Sequence, residues 1–401
     1  MKALNILLLA SKFDPSGTSP YLTDELCEAL IDMGHSVDVI FLDWSQIYQG
    51  PETIQRGRLR VHVIPPAGGM NGIVQKAIKW GASARRVARF YKQHYQANSH
   101  DLLISFSPSI VFSTALLLLK SRIKTKILIQ WDFFPFHQAQ IGLIPFSWMT
   151  SLGGFIETAL INSFTHIGCM SPQNVAYLHE HYRISNGIKT GVLPIWAKTR
   201  PKPDIDKFEA RDEIGLPKDS FIAVFGGQIT AGRGIEDIVE MAKLSHERAS
   251  RILFLVVGSG PKAAWLEAQA TSLAGHLMVL PAMPREAYLR LISACDVGLV
   301  LTVPNVDVPS FPSKTLDYCC VGIPIAAAVE NTTDFGRFIS DVGFGRYCEA
   351  GDALSLLEIL ENLSSEPALV ASMGDAARKQ YENYFNVDSV AISLMEMIHN
   401  G

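Results

Sequence analysis

The chain has 401 residues, with 35 Lys+Arg against 39 Asp+Glu and a net charge of −4 at pH 7. That length suits two domains, and the balance excludes a nucleic-acid binder that relies on bulk positive charge. A composition 48% hydrophobic and 18% charged excludes disorder.

Neutrality here is cancellation. Residues 1–200 hold 19 basic and 12 acidic side chains (+7), and residues 201–401 hold 16 and 27 (−11), so the halves are expected to face different partners. Cys27, Cys169, Cys295, Cys319, Cys320 and Cys348 show no C-x-x-C spacing. They read as buried thiols of a reducing compartment, which points to the cytoplasm. Leu4–Ala10 is apolar but has no small-residue cleavage site after it, so it reads as a first strand and not a signal peptide.

Apolar runs then alternate with amphipathic ones, as in β-α units. The first half predicts strands at 3–10, 37–42, 58–65, 101–107, 126–132, 165–170 and 189–194. A helix over Thr23–Met33 stops at Gly34. Leu102–Leu119 and Phe133–Ile156 are uncharged and long enough to raise the question of spanning helices. Pro108 and four serines interrupt the first, and Pro135, Gly142, Pro145 and Gly153-Gly154 break the second, so neither is expected to span. Lys198–Lys207, charged and proline-containing, reads as a hinge. The second half predicts strands at 221–226, 251–257, 277–280, 296–301, 323–328 and 344–348. A final helical segment, Ser372–His399, breaks near Asn383–Asn386. The expected fold class is α/β: two Rossmann-like doubly wound domains facing across a cleft, 1–197 and 208–383, joined by a hinge at 198–207, with a C-terminal helix 384–401 completing the first.

Four segments carry candidate chemistry. Phe225-Gly-Gly-Gln-Ile-Thr-Ala-Gly-Arg-Gly234 leaves a strand and opens a helix. Its glycines allow close backbone approach, its helix N-terminus offers N–H groups, and Arg233 adds a fork-shaped cation. On this segment alone a phosphate site and a plain strand-to-helix turn both stand. Val257-Gly-Ser-Gly-Pro-Lys-Ala263 reads G-x-G-x-x-A, but no carboxylate ends the next strand. That disfavours a nicotinamide dinucleotide and suits a turn lining a nucleotide cleft. Pro309-Ser-Phe-Pro-Ser-Lys-Thr-Leu-Asp317 places Ser310 and Phe311 in a stiff loop and Ser313, Lys314 and Thr315 at a helix start, with Asp317 a turn later. Those are donors for a diphosphate beside one carboxylate for a diol. Gln130-Trp-Asp-Phe-Phe-Pro-Phe-His137 ends a strand and offers Asp132 and His137 as polar groups. His35 reads as structural, and the D-x-D of Asp204 and Asp206 as linker. No metal-ligand spacing is found, and no G-x-S-x-G, H-E-x-x-H or P-loop pattern occurs.

The order of these pieces resembles the retaining glycosyltransferases of family 4, of GT-B fold. Ser16-Gly17-Thr18 and Met33-Gly-His-Ser-Val37 match the family's glycine loop and its R-G-H-x-V. Glu157 and Ser171 match a helix glutamate and a strand-end serine, and Leu193-Pro-Ile-Trp196 a P-N-W turn. Gly227-Gln228 through Arg233-Gly234 falls on G-R-L-x-x-x-K-G, whose basic pair holds the donor pyrophosphate. Gly258-Ser-Gly260 and Ala282–Arg285, including Met283, match turns that line the nucleotide.

Departures are equally specific. Pro309 stands where the family often has its sugar-binding glutamate, Asp317 where it has the ribose glutamate, and Gln228 where it has an arginine. Trp131-Asp132 stands for its His-Asp. The spelling Pro312-Ser-Lys314 resembles the subgroup that builds bacterial surface polysaccharides.

The resemblance implies transfer of a sugar, with retention and without metal or other cofactor, from a nucleotide-sugar donor, expected to be a UDP-sugar, to a glycan or lipid-linked acceptor. Expected donor contacts are Gly17, Gly227, Gln228, Arg233, Gly258, Met283, Ser310, Phe311, Ser313, Lys314, Thr315 and Asp317. Expected catalytic groups are Asp132, His137, Arg233 and Lys314. Ten Lys/Arg against one acid in residues 73–126, beside the aromatic 133–156, suggest peripheral contact of residues 73–156 with an anionic inner membrane. No nucleic-acid partner is expected. The alternatives are a non-catalytic nucleotide-sugar-binding partner and a same-fold epimerase.

Overall fold

The computed structural model describes residues 2–18, 20–48, 50–68 and 73–399, with only the backbone of 73–77. The side chain of Lys76, one of the ten cations counted above, therefore lies outside the described residues. The chain forms two compact units, Met1–Lys198 with Val387–Gly401, and Thr199–Asn386.

The first unit is built on eight strands: β1 (Asn5–Ala10), β2 (Ser36–Leu42), β3 (Glu52–Arg56), β4 (Leu59–Ile64), β5 (Leu102–Phe106), β6 (Thr125–Gln130), β7 (His166–Cys169) and β8 (Lys189–Val192). Their order across the sheet is β3-β4-β2-β1-β5-β6-β7-β8. All pairs are parallel except β3–β4. Central strands such as Ile6–Ala10 and Leu102–Phe106 are buried along their length, which is why they read as apolar runs, broken in the second only by Ser105. Strand β3 escaped prediction because Glu-Thr-Ile-Gln-Arg is a polar, mostly exposed edge strand with no apolar run to detect. His35 is buried, its Nδ1 accepting from the Leu4 N–H at 3.1 Å.

The break near residue 385 has a purpose in this unit. Helix Val387–His399 buries Val387, Val390, Ala391, Leu394 and Met395 in the core that contains Ile6, Leu26, Val39 and Trp196. Among the described residues no helix is long and apolar enough to cross a membrane. One expectation needs correction: Gly153-Gly154 does not interrupt its segment, because helix Ser147–Ile161 runs through both. A Cβ on Gly153 would lie 3.1 Å from Pro135 Cγ, and one on Gly154 3.3 Å from Phe136 Cζ. The glycines are contact points that let the helix seat on Pro135 and Phe136.

The second unit is built on β9 (Phe221–Gln228), β10 (Ile252–Ser259), β11 (Leu277–Pro281), β12 (Val297–Leu301), β13 (Ile325–Val329) and β14 (Gly345–Glu349). The order is β11-β10-β9-β12-β13-β14, all pairs parallel. The chain winds outward from β9 through β10 to β11, then returns to β12 on the other side. The switch point therefore lies between β9 and β12, where ligands bind outside the carboxyl ends of an open parallel sheet.

Candidate functional site

A cavity of about 460 Å³ opens at those carboxyl ends. It is lined by Gly226, Gly227, Gln228 and Phe225 of β9 and by Val257, Gly258 and Ser259 of β10. Arg233, Ala282, Met283, Tyr288, Ser313, Lys314 and Asp317 complete the wall. Every one of these belongs to the second unit.

Glycine makes the floor possible. Strands β9 and β10 pair in register from Phe221–Ile252 to Gln228–Ser259, so Gly227 faces Gly258. A Cβ on Gly258 would lie 1.8 Å from the Gly227 carbonyl oxygen. One on Gly260 would lie 2.3 Å from the Ile229 oxygen. The G-x-G spelling thus serves backbone crossing as well as room for a ligand. Gly226 makes space for a side chain: a Cβ there would meet Tyr288 Oη at 1.8 Å. Where β9 and β12 share only two paired positions, Tyr318 fills the divergence. Its hydroxyl accepts from the Gly226 N–H at 3.2 Å and lies 3.1 Å from the Val224 oxygen. Gly298 is required opposite, since its Cβ would sit 2.3 Å from the Tyr318 ring.

Two basic side chains, Arg233 and Lys314, stand on the wall beside the one carboxylate, Asp317. Lys314 opens helix Lys314–Val321, whose cap Ser313 makes no side-chain capping bond. Its ammonium lies 3.4 Å from the centroid of the Phe225 ring, a cation–π contact. Burial, then the Arg233 guanidinium, holds Lys314 well below the ordinary lysine range. Among the described residues neither Lys314 nor Arg233 forms an ion pair. Two basic side chains that share one cavity with no ion-pair partner of their own are the arrangement an anion would complement. Glu236, one of two acids in the first turn of helix Ile235–Glu247, pairs with Lys262.

Asp317 is on the wall, but its carboxylate is engaged. Its Oδ1 lies 2.7 Å from Arg285 Nη2. Burial raises its pKa, and Arg285 and Arg200 pull it back down.

The remaining expected residues fall elsewhere. Ser310, Phe311 and Thr315 do not line this cavity. Ser310 Oγ donates to Glu330 Oε1 at 2.9 Å. Phe311 packs against Phe335 and Phe385 at ring separations of 5.1 and 6.0 Å. Thr315 is fully buried. They brace the segment that carries Lys314.

Gly17, Asp132 and His137 belong to the first unit. Gly17 has φ 74°, and a Cβ there would run into Arg56 Nη1. Asp132 is exposed, its N–H donating to Ser107 Oγ at 2.8 Å. His137 is half-buried in the short helix Phe136–Gln140. Glu157 is buried, accepts from the Ser109 and Ile110 N–H groups at 2.5 and 2.9 Å, and burial raises its pKa to about 7. Ser171 caps helix Pro172–His181. Asp206 caps helix Lys207–Ile214, which accounts for half of the D-x-D pattern. Among the described residues no cluster of three or more His, Cys, Asp or Glu could hold a metal ion.

Sequence reasoning missed Tyr288, Tyr318, Arg285's ion pair and Glu330. Glu330, 6% exposed, follows β13 and holds Ser310 while its Oε2 has no partner. Gly226 and Gly298, glycines inside apolar strands, were the available signal, since such glycines mark close approach.

Comparison with known proteins bears on the same unit. Residues 206–380 match the family model described as Glycosyl transferases group 1. Over those residues the second unit is similar to that family's domain. Among curated relatives, the chain is 24% identical over 189 residues to the putative colanic acid biosynthesis glycosyl transferase WcaI of Escherichia coli K12, covering 44% of this chain and 46% of that one. It is 26% identical over 214 residues to a D-inositol 3-phosphate glycosyltransferase of Streptomyces avermitilis, covering 51% and 45%. The chain thus spans less than half the length of these curated relatives. Among solved structures, sucrose-phosphate synthase from Thermosynechococcus elongatus superposes with a TM-score of 0.76 at 16% identity, over 99% of this chain and 98% of that one. HepE from Anabaena, solved with UDP, gives 0.70 at 15% identity over 99% and 100%. WaaG, a glycosyltransferase of lipopolysaccharide biosynthesis, gives 0.67 at 15% over 99% and 100%. These likenesses show the fold, which is GT-B: two parallel-sheet α/β units.

Proposed function

We propose that this protein is a glycosyltransferase whose second unit binds a nucleotide-sugar, with UDP as the nucleotide. The observation that carries the reading is the convergence of Lys314 and Arg233 on one cavity, neither with an ion-pair partner among the described residues. A diphosphate supplies the missing negative charge, and the helix start at Lys314 adds backbone donors. The group 1 match over 206–380 supports sugar transfer, and the UDP bound to HepE supports the choice of nucleotide.

In the proposed reaction the bond from the anomeric carbon to the diphosphate oxygen breaks, and its electron pair leaves on the diphosphate. An acceptor hydroxyl oxygen forms the new bond on the same face, with retention, and its proton passes to the departing diphosphate. Charge grows on the leaving group, so Lys314 and Arg233 act as the electrostatic catalysts, and the reading assigns no metal or other cofactor. The first unit is assigned the acceptor, a glycan or lipid-linked saccharide of surface-polysaccharide assembly, with Asp132 and His137 as its candidate polar groups. The reading assigns the reaction to the cytoplasm, which six free cysteines of a reducing compartment support.

The test is a thermal-shift screen over UDP-, GDP-, dTDP- and ADP-sugars followed by a transfer assay, since a bound donor stabilises the fold. Stabilisation by UDP-sugars with turnover is the expected result. No shift with any nucleotide refutes the site. Binding without turnover favours a non-catalytic nucleotide-sugar-binding partner, the second reading, which the engagement of Asp317 by Arg285 supports.

A further inference from the structure

Helix Ser147–Ile161 in the first unit presents an apolar face that nothing in that unit covers. Its inner side buries Gly154, Glu157, Leu160 and Ile161. Its outer side carries Trp148, Leu152 and Phe155, spaced i, i+4, i+7 along one stripe. They are 63%, 51% and 74% exposed. The turn before the helix extends the patch with Leu143 at 63% and Phe146 at 57%. The sole charged side chain of the helix is the buried Glu157. A solvated helix face ordinarily selects polar residues; this one has aromatic and aliphatic groups in their place. A contiguous patch of this kind marks an interaction site.

The neighbouring elements say what covers it. Helix Ser113–Leu119, which exposes Leu117, contacts both Ser147–Ile161 and the basic helix Ile73–His94. Trp80 of that basic helix stacks edge-on against Phe134 at 5.8 Å, next to the Pro135 on which Gly153 rests. Arg85, Arg89 and Lys92 on the basic helix, and Lys120 and Lys124 just after Ser113–Leu119, are exposed, and none forms an ion pair among the described residues. Asp101 is the single acid between residues 73 and 126. Lys126 is removed from the expected cation set: it is buried, its ammonium donating to the carbonyls of Lys120, Ile123 and Lys124.

We propose that this face docks on an anionic lipid surface. Trp148, Leu152, Phe155 and Phe146 enter the headgroup–acyl boundary, and the exposed arginines and lysines neutralise lipid phosphates beside them. At 15 residues the helix is about 22 Å long, shorter than a bilayer's hydrocarbon core, so it lies in the interface and does not span it. An apolar partner protein would be served by the stripe alone. The uncompensated cations next to it select a surface that is apolar beneath and negative on top. The inference is independent of the donor site, because it is read without nucleotide.

The experiment is flotation of the full chain with vesicles of phosphatidylglycerol and phosphatidylethanolamine, compared with phosphatidylcholine alone. Co-flotation with the anionic vesicles, reversed by salt, is expected. The variant W148S/L152S/F155S should lose it by about tenfold or more, and R85E/R89E by about tenfold. Both should keep the wild-type thermal shift with UDP, which shows that the fold and the donor cavity survive. Absence of co-flotation at low salt overturns the proposal. So does a dimer by light scattering that the triple variant dissolves while vesicle binding stays nil, since the occupant is then a second copy. Equal binding to phosphatidylcholine also overturns it, because the cations would then have no part.

Discussion

The two units use positive charge in opposite ways. In the half that carries the second unit, 27 acids outnumber 16 bases, yet two cations, Lys314 and Arg233, meet at one cavity without a partner. In the half that carries most of the first unit the bases are in excess, but they spread over exposed helix faces beside an apolar patch. Concentrated charge in a partly desolvated pocket acts through direct contact and is weakly screened. Dispersed surface charge acts through the summed field and is screened over about 10 Å at ordinary salt. Net charge therefore says little about where an anion would bind: in the proposed reading the acidic half is the one that takes the diphosphate.

The contrast is most easily broken at Lys314. Lys314→Ala should lower kcat/KM for sugar transfer by about 100- to 1000-fold, the scale of one lost electrostatic catalyst; an unchanged value would dismiss the concentrated-charge reading. A glycine supporting the same pocket comes next. Gly258→Ala forces a Cβ into the Gly227 carbonyl and should destabilise the second unit by about 1–3 kcal/mol in urea unfolding, with nucleotide binding falling alongside. A third test uses pH.

Lys314 is held below its usual range in the free protein, and a bound diphosphate raises it, so binding takes up a proton. UDP affinity should then fall as pH rises above the free-state value, by up to about tenfold per unit. Lys314→Met should flatten that slope in titration calorimetry. Salt separates the two regions: UDP binding should weaken gently, whereas vesicle binding by the first unit should collapse. The smallest expected effect concerns the partly exposed pair Arg285–Asp317. Arg285→Ala should cost at most about fivefold in UDP affinity; a larger loss would make Arg285 itself a donor contact.

Much of the fold was readable in advance, for a physical reason. Parallel strands buried on both faces are apolar along most of their length, so Ile252–Val257 and Leu102–Phe106 declare themselves without reference to neighbours. The edge strand β3 did not, because its stability comes from pairing with β4 and not from its own composition. The candidate site was legible where a residue's chemistry is local: Gly227, Arg233, Gly258, Ser313, Lys314 and Asp317 were all proposed and all line one cavity. It was illegible where the role depends on a contact distant in sequence. Tyr288 matters because it lies over Gly226, and Asp317 is engaged because Arg285, 32 residues earlier, reaches it. Ser310, Phe311 and Thr315 looked equivalent to Ser313 in a string of letters, but the turn directs them into the packing behind the site.

By itself, then, the sequence determined the alternation of strands and helices and the glycine-and-cation spelling of the segments that line one cavity, because periodicity, turn chemistry and charge are properties of neighbouring residues. Tertiary structure alone decided which glycines make room for backbone and which for a tyrosine. It also decided that Lys126 is spent on carbonyls and that Trp148, Leu152 and Phe155 face outward. Those outcomes depend on what each side chain meets after folding, and burial, desolvation and the absence of a counter-charge exist only once distant segments have been brought together.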